Sequence, residues 1–304
     1  MATMTSAQFT DLVEPINNTI FDGEYDRWPE EWSRVFEVKG GKRARYQETA
    51  VMFGFGTAVE KPEGAAIATD FGGIAYRVRA VFKVFGLGFS ITEEMIEDSE
   101  AIDLGAKFSR ELAKALQESK EIYHADIFNK AETAGYELGD GATLLSASHP
   151  YAIGGTWSNR LSSPADLSEA SLELLLTQMR LAKDDRANPI RLNPKNIIVA
   201  PKNEYVAIRL LRSTNQSGTA NNDVNAIRSL GRLPTDPMVM TRLTQEDAYF
   251  IHTDAEHGLM HYRRRAVKKG MEGDFATGNM HYKATERYVA LAEGARCVFG
   301  SLGI

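Results

Sequence analysis

Apolar and polar positions along this chain follow different periods in different places. Between Val35 and Phe89 they alternate with a period of two, punctuated by glycine, and Val51–Val59 and Tyr76–Phe85 each read as a strand. Lys61-Pro-Glu-Gly64 and Asp70-Phe-Gly-Gly73 lie between them and favour turns, so the pattern predicts a long two-stranded ribbon with a broad tip. A lone ribbon is marginal in water and needs a surface, its own body or another subunit, to lie on.

After Thr92-Glu93-Glu94, which opens an acidic helical turn, the period lengthens. Phe108, Leu112, Ala115 or Leu116, Tyr123, Ile127 and Ala131 recur at three-to-four spacing, predicting a helix from Ile102 to about Ala134 with a charged opposite face. At about 1.5 Å per residue it would run roughly 45–50 Å. A second amphipathic helix, capped by Asp166 or Ser168, carries Leu172, Leu175, Leu176, Met179 and Ala182 and is expected to end near the Asn188-Pro189 and Asn193-Pro194 dipeptides. Asn196–Ala200 is a continuous apolar run, as in a buried strand, and Pro201 starts a helix to about Arg212. Further strands are expected at Met238–Thr241, Ala248–Thr253, Gly258–Tyr262 and His281–Ala290.

Three stretches lack a period. Residues 1–33 read as a polar, acidic arm in which Trp28 and Trp32 flank Pro29. Two exposed indoles waste apolar area, so the arm is expected to dock, on its own body or on a neighbour. Gly135–Leu167 is turn chemistry throughout, and Ser213–Asn225 reads as a mobile polar loop. With no repeat or low-complexity linker, the domains should interleave rather than follow in series.

Composition changes this picture little. The 304 residues are 43% hydrophobic and 25% charged, which excludes disordered, collagen-like and disulfide-scaffold classes. Cys297 is the single cysteine, so neither an internal disulfide nor a cysteine-built metal site is possible. No run approaches a membrane span, and the first residues lack signal-peptide character, so a cytosolic protein is expected. Charge is more informative. The net −6 divides into −10 over residues 1–152 and +4 over 153–304; within these, 34–83 holds nine basic and five acidic residues, and 93–137 five and twelve. Most such segregation is a solvated face, but it gains meaning if the two windows meet between subunits.

The search for chemistry finds no active site. Gly54-Phe-Gly56 and Gly86-Leu-Gly88 lack the third glycine of a dinucleotide fingerprint, and there is no phosphate loop. Ser148 and His149 are adjacent and would point to opposite faces of an extended segment, which suits a structural turn before Pro150. His252, His257 and His261 form the best metal candidate, but Gly258 stands where a zinc helix needs its glutamate and the pattern is strand-like. Arg263-Arg264-Arg265 with Lys268 and Lys269 could meet phosphate, yet a strand end or an ion-pair cluster between subunits suits an acidic chain better. Cys297 in its apolar stretch reads as a buried thiol. No catalytic residue and no cofactor is expected.

Five passages in order carry a resemblance: Phe89–Asp98, Leu144–Pro150, Asn193–Pro201, His257–Arg263 and Arg287–Arg296. Together they resemble the major capsid protein of tailed bacteriophages, with the Hong Kong-phage-type shell fold, and particularly the Mu-like major head subunits. The resemblance implies an α+β chain with an N-terminal arm (1–33), an extended β-ribbon loop with flanking strands (34–89), and a peripheral domain with a long spine helix (90–190). An axial α/β domain (191–270), with 213–225 as a candidate axial loop, and C-terminal strands returning to the core (271–304) would complete it. It implies a subunit of an icosahedral head that forms hexamers and pentamers around double-stranded DNA, without sequence-specific binding and without a membrane. Portal, scaffold and cement proteins would be partners, in the host cytoplasm during assembly and in the virion afterwards. The basic ribbon would then meet the acidic spine of a neighbour, which makes Trp28, Trp32, Lys42, Arg43, Arg45, Arg77, Arg79 and Lys83 the expected interface residues. The alternatives are an encapsulin-like compartment, a metal-dependent enzyme built on His252, His257 and His261, and a DNA-binding protein using Arg263 to Lys269.

Overall fold

The computed structural model describes residues 6–41, 44–92, 94–95, 101–215, 223–274 and 276–304. In chain order these form α1 (Ser6–Tyr25), β1 (Glu37–Gly40), β2 (Tyr46–Phe53), β3 (Gly73–Val81), β4 (Lys83–Ile91) and α2 (Ala101–Asn129). There follow β5 (His149–Pro150), β6 (Thr156–Trp157), α3 (Glu169–Arg180), β7 (Pro194–Val199), α4 (Glu204–Arg212) and α5 (Ala226–Leu230). The last part is strand: β8 (Met238–Val239), β9 (Tyr249–Thr253), β10 (Leu259–Gly273), β11 (Met280–Ala292) and β12 (Val298–Ser301).

Two four-stranded sheets organise the body. One has the order β12-β9-β7-β8 and is covered on both faces. Ile198, Phe250 and Val298 pack toward the end of α2 around Phe128, while Ile197, Val199, Tyr249, Ile251 and Phe299 pack toward α3 and α4. Burial on both faces explains why these strands read as unbroken apolar runs rather than alternations. The other sheet, β1-β10-β11-β4, is covered along one face by α1 and α2, and on the other only near the ribbon root, where Phe82 packs on Met260, Tyr262 and Val289. Met280, Tyr282, Ala284, Glu286 and Tyr288 alternate inward along β11, and Phe21 of α1 with Leu112, Ala113 and Leu116 of α2 packs against Tyr282 and Ala284. Ser168 caps α3, accepting from the Ser171 amide at 3.2 Å while its own amide donates to the Ser171 hydroxyl at 3.0 Å.

Several expectations change. Within the segment expected as an arm, described from Ser6, the chain is not irregular: α1 packs on α2, and a short 3-10 turn at Trp32–Arg34 buries Trp32. Tyr76–Phe85 is not one strand. Phe82 is buried and breaks the pairing, so β3 belongs to the ribbon and β4 to the body sheet. The first ribbon strand is Tyr46–Phe53, several residues earlier than alternation suggested, and 54–72 forms the tip. α3 stops at Arg180, well before Asn188-Pro189, because Leu181–Asn188 forms turns. The strand expected at Gly258–Tyr262 continues to Gly273 and takes in the basic run. Segment 191–270 thus supplies strands to both sheets. The acidic Glu93, Glu97, Asp98 and Glu100 lie outside the described residues, as does 216–222 of the loop expected at 213–225.

Candidate functional site

The two segments expected to seek another surface, the N-terminal segment and the ribbon, are placed very differently. Around Trp32 the fit is tight. Its ring stacks on His124 of α2 at 4.3 Å and lies 4.5 Å from His261 of β10, and the two histidines share a 2.9 Å hydrogen bond. The Glu121 carboxylate accepts the backbone N–H groups of Glu31 (2.8 Å) and Trp32 (3.1 Å). Buried Lys120 donates to the Tyr25 hydroxyl and pairs with Glu286 at 3.4 Å. Burial holds both histidines well below their ordinary pKa, at about 3, and raises Glu121 to about 7. These uncharged imidazoles, packed with Trp32, Tyr288 and Phe36, form a clasp that fixes the segment to its own body.

The ribbon, β2 paired antiparallel with β3, is held to the body at its root and at one point of its tip. Thr49 donates to Glu293 at 2.7 Å, Tyr262 reaches the same carboxylate at 2.6 Å, and the Phe82 amide donates to the Arg45 carbonyl. At the tip, Asp70 gathers both legs by accepting the amides of Gly56 (2.7 Å) and Phe71 (2.8 Å), and it pairs with Arg186 of the 184–188 turn. Its carboxyl is lowered to about 2, first by that arginine and then by the two amides. Between ribbon and body runs a cleft of about 310 Å³, with Phe53 and Tyr76 on one side and Trp157 and Arg191 on the other. Val51 and Val78 are buried nearer the root, but toward the tip the ribbon is bare. Met52, Phe55, Val59, Ile67 and Phe71 are each 66–77% exposed. A compact monomer of this mass exposes about 12,700 Å², whereas this chain exposes 17071 Å². Large apolar side chains left this exposed along one segment point to an interaction surface.

The charged residues singled out from sequence scatter over these surfaces. Arg77 is exposed and pairs with Glu48 across the ribbon at 3.4 Å, and the Arg79 guanidinium lies 3.8 Å over the Tyr46 ring. Arg45 is exposed at the start of the ribbon, and Lys42 and Arg43 lie outside the described residues. Lys83 is not a ribbon residue: it begins β4, with its ammonium 4.8 Å over the Tyr123 ring. Trp28 is half-buried. The acidic window is also less free than its count of charges, because Glu118 pairs with Arg242, Asp126 with Lys130 and Glu132 with Arg160 inside the subunit. Window arithmetic cannot see partners that lie elsewhere in the chain.

The other sequence candidates separate. His252 lies in β9, His257 beside Glu293 at 3.5 Å, and His261 against His124. Among the described residues no group of His, Cys, Asp or Glu is disposed to hold a metal. His149 is wholly buried, bonded to Asp140 at 2.8 Å and to Asn159, and serves the 135–167 segment as an internal post. Sequence reasoning missed His124, Lys120 and Glu121 because they are polar residues on the buried face of an amphipathic helix. Their only trace is their shared face: Lys120 and Glu121 lie four and three residues before His124, in line with Leu116 and Phe128.

A family model for phage capsid protein matches residues 75–299. Among solved structures, the capsid of a native GTA particle has 14% identity and a TM-score of 0.54, covering 90% of this chain and 90% of that one. The capsid of cyanophage P-SCSP1u has 10% identity and a TM-score of 0.54 over 88% of this chain and 86% of the other. The capsid of Myoviridae phage XM1 has 10% identity and a TM-score of 0.50 over 89% of each. No curated protein sequence matches the chain.

Proposed function

This chain belongs to the phage capsid protein family, and from that premise we propose how its parts serve a shell. It is a major structural subunit of a phage head, with the Hong Kong-phage-type shell fold, located in the virion capsid and assembling into multi-subunit shells. The encapsulin-like alternative is the weaker one, since the matching family is that of phage capsids.

Several finer readings are ours. Copies group into hexamers and pentamers of an icosahedral shell around double-stranded DNA, held without sequence-specific contacts. Portal, scaffold and cement proteins join them in the host cytoplasm, and the chain performs no catalysis. Within the family it resembles the Mu-like major head subunits in particular. Residues 1–33 act as the arm, 34–89 as the extended loop with flanking strands, 90–190 as the peripheral domain around α2, 191–270 as most of the axial domain, and 271–304 as the returning strands. The ribbon lies on a neighbouring copy, with Arg45, Arg77 and Arg79 helping to set register and the bare apolar side chains supplying most of the affinity. Many such weak seats acting together give the closed shell its strength.

One observation carries this reading: a tip with Phe55, Val59 and Ile67 in solvent on a chain that exposes 17071 Å². The test is to express the full chain and image the product. Closed particles are the expected result, and a chain that stays monomeric at every concentration would overturn the proposal.

A further inference from the structure

The densest basic run of the sequence, Arg263 to Lys269, is absorbed neither by the core nor by the ribbon. β10 carries two register shifts over this stretch, one between Arg263 and Arg265 and one between Arg265 and Lys268. Such bulges re-aim side chains and recur where a strand has a task beyond pairing. Here they set Arg265 directly opposite Arg287 of β11. Desolvation, followed by the charges of Arg264, Arg265 and Arg45, holds the Arg287 guanidinium below its ordinary value, so four arginines share one patch at the root of the ribbon.

Lys269, at the end of the run, pairs with Asp22, and elsewhere in the body Lys120 pairs with Glu286, Arg242 with Glu118 and Arg296 with Asp185. In the patch, Arg265 reaches the Thr285 hydroxyl at 2.8 Å and Arg264 lies over the Phe82 ring. Among the described residues no carboxylate pairs with Arg45, Arg265 or Arg287, and the Nε of Arg287 is buried without an acceptor. Like charges set opposite each other across strands repel, and a buried donor left unmet costs more than an exposed one. The subunit alone leaves both costs standing.

We propose that this arginine patch is a docking surface for carboxylates of a second copy of the chain. The inference rests on the shell reading and adds a second seat to that of the ribbon. A protein partner fits better than a nucleic-acid backbone for two reasons. Val84 lies directly opposite Arg287 and is 59% exposed, so the patch joins guanidinium groups to bare aliphatic surface, the composition of a protein interface. Each copy also brings an excess of carboxylates, since residues 1–152 carry −10, with five carboxylates between Glu93 and Glu100. The planar fork of arginine matches a carboxylate with two parallel hydrogen bonds.

The test uses the full chain in assembled particles. A photo-reactive residue is placed at position 265, and light subunits are assembled with nitrogen-15 subunits in equal parts. Crosslinks joining light to heavy chains at an Asp- or Glu-bearing segment are the expected result; crosslinks confined within one chain, or made to packaged DNA, would overturn the proposal. In parallel, R265E/R287E should lower particle yield at least tenfold with an unchanged circular dichroism spectrum, while R265K/R287K, which keeps the charge but loses the fork, should fall between that variant and the wild type. Normal particles from R265E/R287E would also overturn it, and if that variant does not fold the crosslinks decide. A wild-type chain that forms no particles would instead refute the shell reading, and this inference with it.

Discussion

The N-terminal segment and the ribbon pose the same physical problem and solve it in opposite ways. Each carries large apolar side chains on a segment that cannot form a core alone. The N-terminal segment puts Trp32 between two buried histidines and ties its own amides to Glu121. The ribbon fixes its root to Glu293 and its tip to Arg186, yet leaves Phe55, Val59 and Ile67 in water. The lesson is that an appendage is not an assembly element merely because it departs from the body. What marks one is apolar area that its own chain leaves uncovered.

Replacing Trp32 should break the comparison most severely. Trp32→Ala empties the clasp and is expected to cost about 3–5 kcal/mol of subunit stability, read as a fall in the denaturant midpoint at constant slope. A loss below about 1 kcal/mol would mean that the segment is only loosely held. Acid should act next, and on the body more than on the ribbon. Burial lowers His124 and His261 to about 3 and His252 to about 4, so they are neutral in the folded chain while the unfolded chain protonates near 6.5. Stability is then lost as pH falls below 6.5, by about 1.4 kcal/mol per pH unit for each histidine. Glu121, raised to about 7, and Glu286, also raised, work the other way: they gain protons in the folded state first and return part of the loss as pH falls. The expected net loss is roughly 1–3 kcal/mol between pH 6 and pH 5, measured by denaturant titration. Asp70, lowered to about 2, should keep the ribbon tip gathered through that range, with the Gly56 and Phe71 amides still protected from hydrogen exchange.

How far this contrast could be read from sequence depends on the kind of signal. Periodicity located α2, α3 and the buried strands, because Leu112, Leu172 and Ile197–Val199 answer to local spacing. It placed the ribbon but mistook its limits, since Phe82 looks like one more apolar strand position and its role as a pivot is set by pairing to two different sheets. It could not see α1 docking on α2, nor His124, Lys120 and Glu121 facing inward, because those depend on partners more than 80 residues away. Charge windows are blind for the same reason: Glu118 pairs with Arg242 inside the subunit. The ordered passages from Phe89 to Arg296 did indicate the fold, through their sequence rather than through any one motif.

A smaller perturbation sharpens the role of charge on the ribbon. Arg77→Glu with Arg79→Glu removes the exposed Glu48 pair and the stacking on Tyr46. Exposed contacts of these kinds are each worth about 1 kcal/mol or less, so the subunit should lose roughly 1 kcal/mol and stay folded. Particle assembly should be slowed and become more sensitive to salt. Normal shells formed at the normal rate would refute the assignment of these arginines to register.

The smallest effect on folding belongs to the residues that matter most outside it. F55S/V59S/I67S alters side chains that are 66%, 75% and 77% exposed, so subunit stability should change by less than about 0.5 kcal/mol. Their transfer from water, by contrast, is available only when a second surface covers them, at about 25 cal/mol per Å² of apolar area. The triple variant should therefore melt with the wild type and yield no closed particles in sedimentation. Were it to assemble normally, the ribbon would be an ornament seated on its own subunit by Arg186, and the affinity between copies would have to come from elsewhere. Were it instead to unfold, the tip would belong to the core. Either outcome would erase the difference between the two appendages, whereas an intact subunit without shells is the one result in which exposed apolar area and assembly prove to be the same quantity.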